Sequence, residues 1–241
     1  MKYFLGYMLL ILICFSANLK AQNKMDLNQK LNIAQQHLVS ISALTATGDI
    51  DPLKIQLAKG LDAGLTVNQV KEVLVQLYAY CGFPRSLNAI NTFMAVLEER
   101  KTKGFKDTEG KAASPVTDMD KYQTGKNTLQ RLTGKQEQSL SGANAFAPAI
   151  DIFLKEHLFA DIFNRDVLTF QQRELVTVSA LAAMTGVASQ LQAHIGMAMN
   201  TGLTESQFNE AFLIIDESAG KKQGDLARST LAKVKAAITA P

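Results

Sequence analysis

The spacing of apolar residues along the chain predicts helices, and no segment shows the sustained alternation of a β-strand bounded by hairpin turns. One stripe at helical spacing follows Thr66 and consists of Val70, Val73, Leu74, Leu77 and Cys81. A second stripe follows Thr204 and consists of Phe208, Ala211, Phe212, Ile215 and Ala219. The pattern therefore predicts an all-α fold.

Helix boundaries are marked by glycines and capping residues. Gly64 and Gly202 are placed where a helix should end, in the left-handed conformation that glycine adopts at little cost. Thr66-x-x-Gln69 and Thr204-x-x-Gln207 then predict capping boxes at the start of the next helix. Thr169-x-x-Gln172 predicts a third box, which starts the helix that carries Glu174.

The same pattern occurs twice. Leu38–Leu44 matches Leu175–Leu181, and the segment from Gly64 to Glu72 matches the segment from Gly202 to Glu210. The chain is therefore predicted to hold two tandem repeats of helical hairpins, at about 26–100 and 116–241.

The stretch between the two repeats is polar at first and then helical. Residues 101–115 predict an exposed linker. Helices are expected from Tyr122 to Leu132 and from Ile150 to Phe163. The second of these should carry Ile152, Phe153, Leu158 and Ile162 on or near one face.

The N-terminus predicts a secretory signal peptide at residues 1–21. A short basic start, an apolar run from Tyr3 to Phe15 and a small, polar exit to Ala21 are typical of such a segment, which is too short to span a bilayer comfortably. We expect a periplasmic protein with no membrane association after cleavage, because no other apolar run reaches membrane length.

Charge and cysteine content argue against a nucleic-acid-binding protein and against a disulfide-stabilised fold. The formal net charge is +3, which falls to about +1 after signal cleavage, and no basic stripe indicates a nucleic-acid partner. Cys14 lies within the apolar part of the predicted signal. Cys81 is then the one thiol of the mature chain, so an internal disulfide is impossible and the core must hold the fold.

These residues resemble the carboxymuconolactone decarboxylase family, within the alkylhydroperoxidase D-like superfamily. The resemblance rests on the runs from Gly48 to Ala89 and from Arg173 to Thr204, which include the Arg173-Glu174 pair and His194. It implies helical hairpins assembled into homo-oligomers, with a trimer favoured over a dimer, and pockets near subunit or repeat interfaces.

The superfamily contains two chemistries. Its peroxidases use a Cys-x-x-Cys pair, and the matching positions here are Val187 and Gln190, so a dithiol relay is impossible. The decarboxylases act on a small carboxylated lactone without metal or organic cofactor. Glu174 and His194, which the resemblance marks as functional, are both present.

Each candidate site residue has a structural and a functional interpretation. His194 is either a core histidine or a catalytic group, and Glu174 either complements the dipole of its helix or orients His194. Antiparallel helices would place the two within about 6 Å of each other along the axis. Arg173 is either an anchor for an anionic substrate or, the favoured interpretation, a solvated charge.

The remaining candidates belong to the first repeat. Cys81 is a possible redox thiol, but a small buried residue at a helix end is favoured. Tyr80, Phe83 and Asn88 are candidates for a substrate-binding wall, although aromatic residues at helix ends usually pack in the core.

The two repeats have lost complementary parts of the family pattern. His37 and Gln56 stand in the first repeat where the second has Glu174 and His194. The second repeat has Lys221 and Lys222, which should be solvated, where the first has Phe83 and Pro84. One composite site per chain would explain this, with His194 facing a pocket walled by Tyr80 or Phe83. The alternative is that both repeats have lost catalytic positions independently, so that the protein binds a small molecule without reacting with it.

Three functions remain open at this stage. The first is decarboxylation or proton transfer on a small carboxylated substrate by Glu174 and His194. The second is a peroxidase that uses Cys81 alone and an external thiol. The third is a non-catalytic module for small-molecule binding or assembly.

Overall fold

The computed structural model describes residues 30–115 and 120–239, and these form eleven α-helices and one π-helical segment. The predicted signal peptide lies outside the described residues. The helices are α1 Ile33–Thr47, α2 Ile50–Asp62, α3 Val67–Cys81, α4 Phe83–Thr102, α5 Lys121–Thr133, α6 Gly142–Phe146, α7 Pro148–Ile152, the π segment Phe153–Ile162, α8 Phe170–Ala183, α9 Ala188–Asn200, α10 Glu205–Ser218 and α11 Lys221–Thr239.

The predicted helix boundaries follow the capping residues. The three expected capping boxes are confirmed at Thr66, Thr169 and Thr204, and a fourth is formed by Asn32 and Gln35. Gly64 and Gly202 have positive φ angles of 93° and 96°, which explains why glycine stands at both turns.

Helices α1–α4 and α8–α11 repeat the same packing scheme. Within each set the first helix packs against the second and third, and the fourth packs against the second and third. Between the sets, α1 packs along α8, and each of these also contacts the third helix of the other repeat. The all-α fold of two tandem helical repeats is thereby confirmed.

The core is centred on α1 and α8. Every residue of α1 from Leu38 to Ala46 and of α8 from Arg173 to Ala183 is buried. Their apolar side chains join those of the neighbouring helices in one cluster that spans both repeats. Because these helices are buried on all sides, polar residues on them must find partners inside the protein.

The segment between the repeats forms a second, smaller layer in which α5 packs against the π segment. The helix expected from Tyr122 to Leu132 is confirmed. The expected facing of the next helix is wrong in part, because Ile152 and Phe153 are exposed while Leu158 and Ile162 are buried. The chain changes from α to π winding at Phe153, and the added residue per turn shifts the buried face.

The π segment buries a lysine. Lys155 is fully buried, and its ammonium group donates to Asp151, Glu137 and Tyr122 at 2.9, 2.6 and 3.0 Å. These partners compensate the charge inside the hairpin of α5 and the π segment. No helix of the described ranges is long and apolar enough to cross a bilayer.

Candidate active site

Glu174 and His194 are brought together by consecutive helices of the second repeat. Glu174 follows the capped start of α8, and His194 lies in the middle of α9. Both face the interior, with 0% and 7% of their surface exposed. Nδ1 of His194 donates to Oε2 of Glu174 across 2.8 Å. The two groups therefore form a direct, buried hydrogen bond.

This hydrogen bond fixes the imidazole. A carboxylate only accepts hydrogen bonds, so Nδ1 of His194 carries a proton and Nε2 is left for other partners. Nε2 accepts a proton when the ring is neutral and donates it when the ring is charged. His194 can therefore take up and return a proton at Nε2 while Glu174 holds the ring in place.

Tyr80 of the first repeat packs on this imidazole. It lies near the end of α3, and its ring meets that of His194 edge-to-face, with centroids 5.3 Å apart and planes 80° apart. Burial raises the pKa of Tyr80 far above its usual range, and the negative charge of nearby Glu174 raises it further. The phenol therefore stays protonated and remains a hydrogen-bond donor at physiological pH.

Three polar atoms at this junction are buried without a hydrogen-bond partner, namely Oε1 of Glu174, the hydroxyl of Tyr80 and Nε of Arg173. The hydroxyl of Thr177 is close enough to favour the phenolate, but the contact falls short of hydrogen-bond geometry. Buried polar groups are nearly always satisfied, by protein or by ordered water. Oε1 of Glu174 and the hydroxyl of Tyr80 are therefore one acceptor and one donor at the contact between the repeats.

The expected solvation of Arg173 is wrong. Its side chain is fully buried and donates to Gln76 Oε1 at 2.9 Å, to Glu72 Oε2 at 3.2 Å and to the carbonyl oxygen of Arg165 at 2.6 Å. Burial lowers the pKa of Arg173, and the carboxylate of Glu72 opposes that effect. Because Arg173 is held by residues of α3, it ties the first repeat to the helix of Glu174.

Sequence reasoning missed Glu72 and Gln76, which complete this junction. Glu72 also accepts a bidentate hydrogen bond from Arg165, at 2.6 to 2.9 Å, and Gln76 donates to the Thr177 hydroxyl at 2.9 Å. One indication was available: Glu72 and Gln76 stand four residues apart within the apolar run of α3, so both face the same side of a buried helix. Their partners are about a hundred residues away in sequence, which no local pattern reveals.

Cys81 is placed away from this hydrogen-bond network, at the end of α3. Its thiol donates to the carbonyl oxygen of Leu77 at 3.2 Å. Burial raises the pKa of Cys81 to about 11. The thiolate, which is the form that attacks a peroxide, is therefore a small fraction near neutral pH.

The other candidates for a substrate wall lie apart from His194. Phe83 is 61% exposed and stacks on Tyr78, with ring centroids 4.3 Å apart. Asn88 is exposed on α4. Of the three first-repeat candidates, the structure places Tyr80 alone against His194.

Apolar side chains from the segment between the repeats pack over this junction. Leu132 of α5, Phe159 of the π segment and Phe163, which follows that segment directly, belong to an apolar cluster that packs against Tyr80 and Met197. The amide of Asn200 on α9 donates to the carbonyl oxygen of Leu132 at 2.9 Å. The α5 and π layer thus closes the side of the site where the two repeats meet.

The first repeat keeps the equivalent hydrogen bond with different groups. Nδ1 of His37 and Oε1 of Gln56 are 2.9 Å apart, at the positions that align with Glu174 and His194. The amide of Gln56 carries no negative charge, so this pair lacks the carboxylate that the second repeat places against its imidazole. Within the described residues, no group of three or more His, Cys, Asp or Glu side chains is arranged to hold a metal ion.

Comparison with known proteins gives a consistent result. An uncharacterized protein of Methanocaldococcus jannaschii is 26% identical over 82 residues, which cover 34% of this chain and 77% of the relative. The model of the carboxymuconolactone decarboxylase family matches residues 16–93 and again residues 148–227, together more than half of the chain. This protein therefore belongs to the carboxymuconolactone decarboxylase family, with two copies of the family unit in one chain.

Proposed function

We propose that the protein is a cofactor-independent enzyme that moves a proton during decarboxylation of a small carboxylated, lactone-type substrate. The observation that carries the proposal is the buried hydrogen bond between Glu174 and His194, with Tyr80 of the other repeat against the imidazole. Family membership supports this reaction class.

The proposed reaction consumes one proton, which His194 supplies and then regains from the solvent. The bond between the substrate and its carboxylate breaks, carbon dioxide leaves, and the electron pair is delocalised onto a conjugated carbonyl as a dienolate. Protonated His194 then delivers the proton from Nε2 to carbon. Glu174 stabilises the positive charge of the ring until that transfer, because its carboxylate is bound to Nδ1.

Tyr80 supplies the second polar group. Its raised pKa keeps the phenol neutral, and its hydroxyl has no other partner, so it is suited to donate to the developing negative oxygen. The reacting groups then come from both repeats, Tyr80 from the first and Glu174 with His194 from the second. This arrangement accounts for the loss of the Glu and His positions in the first repeat, where His37 and Gln56 stand.

The proposal is tested with purified protein and carboxymuconolactone, and with a panel of related carboxylated lactones and keto acids, by following carbon dioxide release. We expect His194→Ala to abolish turnover and Tyr80→Phe to lower kcat by about 10²-fold, the effect of removing one oxyanion donor. His157→Ala is the matched control, since His157 is half exposed and bonded only to Asp161 and the Tyr78 ring among the described residues.

Turnover that survives His194→Ala would overturn the proposal. Peroxide consumption that is lost in Cys81→Ser would favour a single-thiol peroxidase instead, which the raised pKa of Cys81 disfavours. Tight binding of a panel member without any product would favour a binding module.

A further inference from the structure

A cleft of about 630 Å³ lies beside the helix that carries His194. It runs between the outer face of α9, the end of α5 and the last turns of α11. Its walls include Lys135, Gly196, Met197, Val234, Ala237 and Ile238. This volume is within the range of small-ligand sites, which is roughly 300–1,000 Å³.

Met197 stands between this cleft and the candidate active site. It lines the cleft, and it also packs against the apolar cluster that contacts Tyr80. Met197 follows His194 by three residues, so the two side chains are neighbours on the surface of α9. Methionine is unbranched and flexible, so this side chain can change rotamer without disturbing the helix.

The residues that line the cleft indicate which class of small molecule it binds. Val234, Ala237 and Ile238 give one apolar side, and Lys135 brings a positive charge to the edge. Lys135 is exposed and forms no ion pair with any acidic residue in the part of the chain that the structure describes. An apolar wall with a lysine at its edge suits a small apolar molecule that carries a carboxylate.

Gly196 keeps the cleft open. A Cβ atom at this position would meet no atom within 4 Å, so the glycine faces open space. Gly196 lies in the interior of a helix, where glycine is unfavourable relative to alanine. A residue that weakens its own helix and borders empty space is consistent with room kept for a ligand.

We propose that this cleft binds the carboxylated substrate, with Lys135 on its carboxylate side, and that Met197 is the movable side chain through which the substrate reaches His194. The inference rests on the proposed function, which leaves open how a substrate approaches a closed site. It adds the route and the class of molecule, an apolar carboxylate.

The test uses benzoate as a probe and benzyl alcohol as its uncharged counterpart. The protein is labelled with ¹³C at the methionine methyl groups, and the Met197 signal is assigned by its loss in Met197→Leu. We expect benzoate at millimolar concentration to shift the Met197 methyl signal, and benzyl alcohol to bind more weakly.

Two substitutions test separately the shape of the cleft and the positive charge at its edge. Gly196→Leu should fill the cleft and abolish the shift, whereas Ala232→Leu on the opposite, exposed face of α11 should leave it unchanged. Lys135→Gln should raise the Kd for benzoate by roughly two- to fivefold, the range of one exposed charge contact. Lys106→Gln, an exposed lysine outside the cleft, is its control.

No shift of Met197 in the unaltered protein, or a shift of equal size in Gly196→Leu, would overturn the inference. Its failure is distinguishable from that of the proposed function because the binding measurement needs no turnover. If turnover depends on His194 but is unaffected by Gly196→Leu, the catalytic role of His194 is supported and the cleft is not the route to it. If benzoate binds as expected but turnover survives His194→Ala, the cleft is supported as a binding site and the catalytic role of His194 is wrong.

Discussion

The carboxylate of Glu174 holds the imidazole of His194 at 2.8 Å in a place where both side chains are buried. The aligned pair of the first repeat, His37 and Gln56, keeps nearly the same distance, 2.9 Å, but is only half buried and has no carboxylate. The fold therefore maintains this helix-to-helix contact in both repeats. The carboxylate partner of the imidazole is present in the second repeat only among these two pairs.

His194→Ala should destabilise the protein as well as inactivate it. The substitution leaves Glu174, one of whose oxygens already has no partner, as a buried carboxylate without a hydrogen bond from the ring. Breaking a buried pair in this way costs about 3–5 kcal/mol. Urea unfolding followed by circular dichroism measures the effect, with His157→Ala expected within about 0.5 kcal/mol of the unaltered protein. Equal unfolding midpoints for the two variants would show that the pair contributes nothing to stability.

Local sequence patterns were enough for the capped helix starts, because caps depend on residues close in sequence. The pairing of Glu174 with His194 was expected from the family resemblance together with the rise of antiparallel helices. Local patterns failed for Arg173, since a charged residue is expected in solvent unless its partners are known. Those partners, Glu72 and Gln76, belong to the other repeat. The winding change at Phe153 was equally hidden, because π and α turns draw on the same residues.

The shared carboxylate of Glu72 should contribute more to stability than Arg165, one of the two arginines that it binds. Glu72→Gln removes the negative charge that compensates Arg173, which is fully buried, and weakens the hold on Arg165. We expect a loss of about 3–5 kcal/mol of unfolding free energy. Arg165→Gln should cost about 1 kcal/mol, because the Arg165 side chain is 36% exposed and Arg173 still faces Glu72. Guanidinium chloride titrations of both variants give the comparison, and a larger loss in Arg165→Gln would contradict it.

Alkylation of Cys81 should be slow at neutral pH and should accelerate up to strongly alkaline pH. Burial disfavours the charged thiolate, so the pKa of Cys81 rises to about 11 and the reactive fraction grows as the pH approaches that value. The rate of iodoacetamide incorporation, measured by mass spectrometry between pH 7 and 10, should rise about tenfold per pH unit. The same peptide in urea-unfolded protein is the control and should level off near the ordinary pKa of a thiol. A plateau below pH 8 in the folded protein would instead indicate an activated cysteine.

Two helical glycines should respond in opposite directions to the same substitution. At Gly125 an added Cβ would come within 1.8 Å of the carbonyl oxygen of Lys155, a backbone atom, so Gly125→Ala must push α5 away from the π segment. Such overpacking costs about 1–3 kcal/mol or more. At Gly196 the added Cβ meets nothing within 4 Å, so Gly196→Ala should stabilise the protein by about 0.5–1 kcal/mol through the gain in helix propensity. Thermal unfolding of the two variants, measured against the unaltered protein, checks the direction of both stability changes. A neutral result at Gly125 would mean that the α5 and π layer is not held as closely as its contacts indicate.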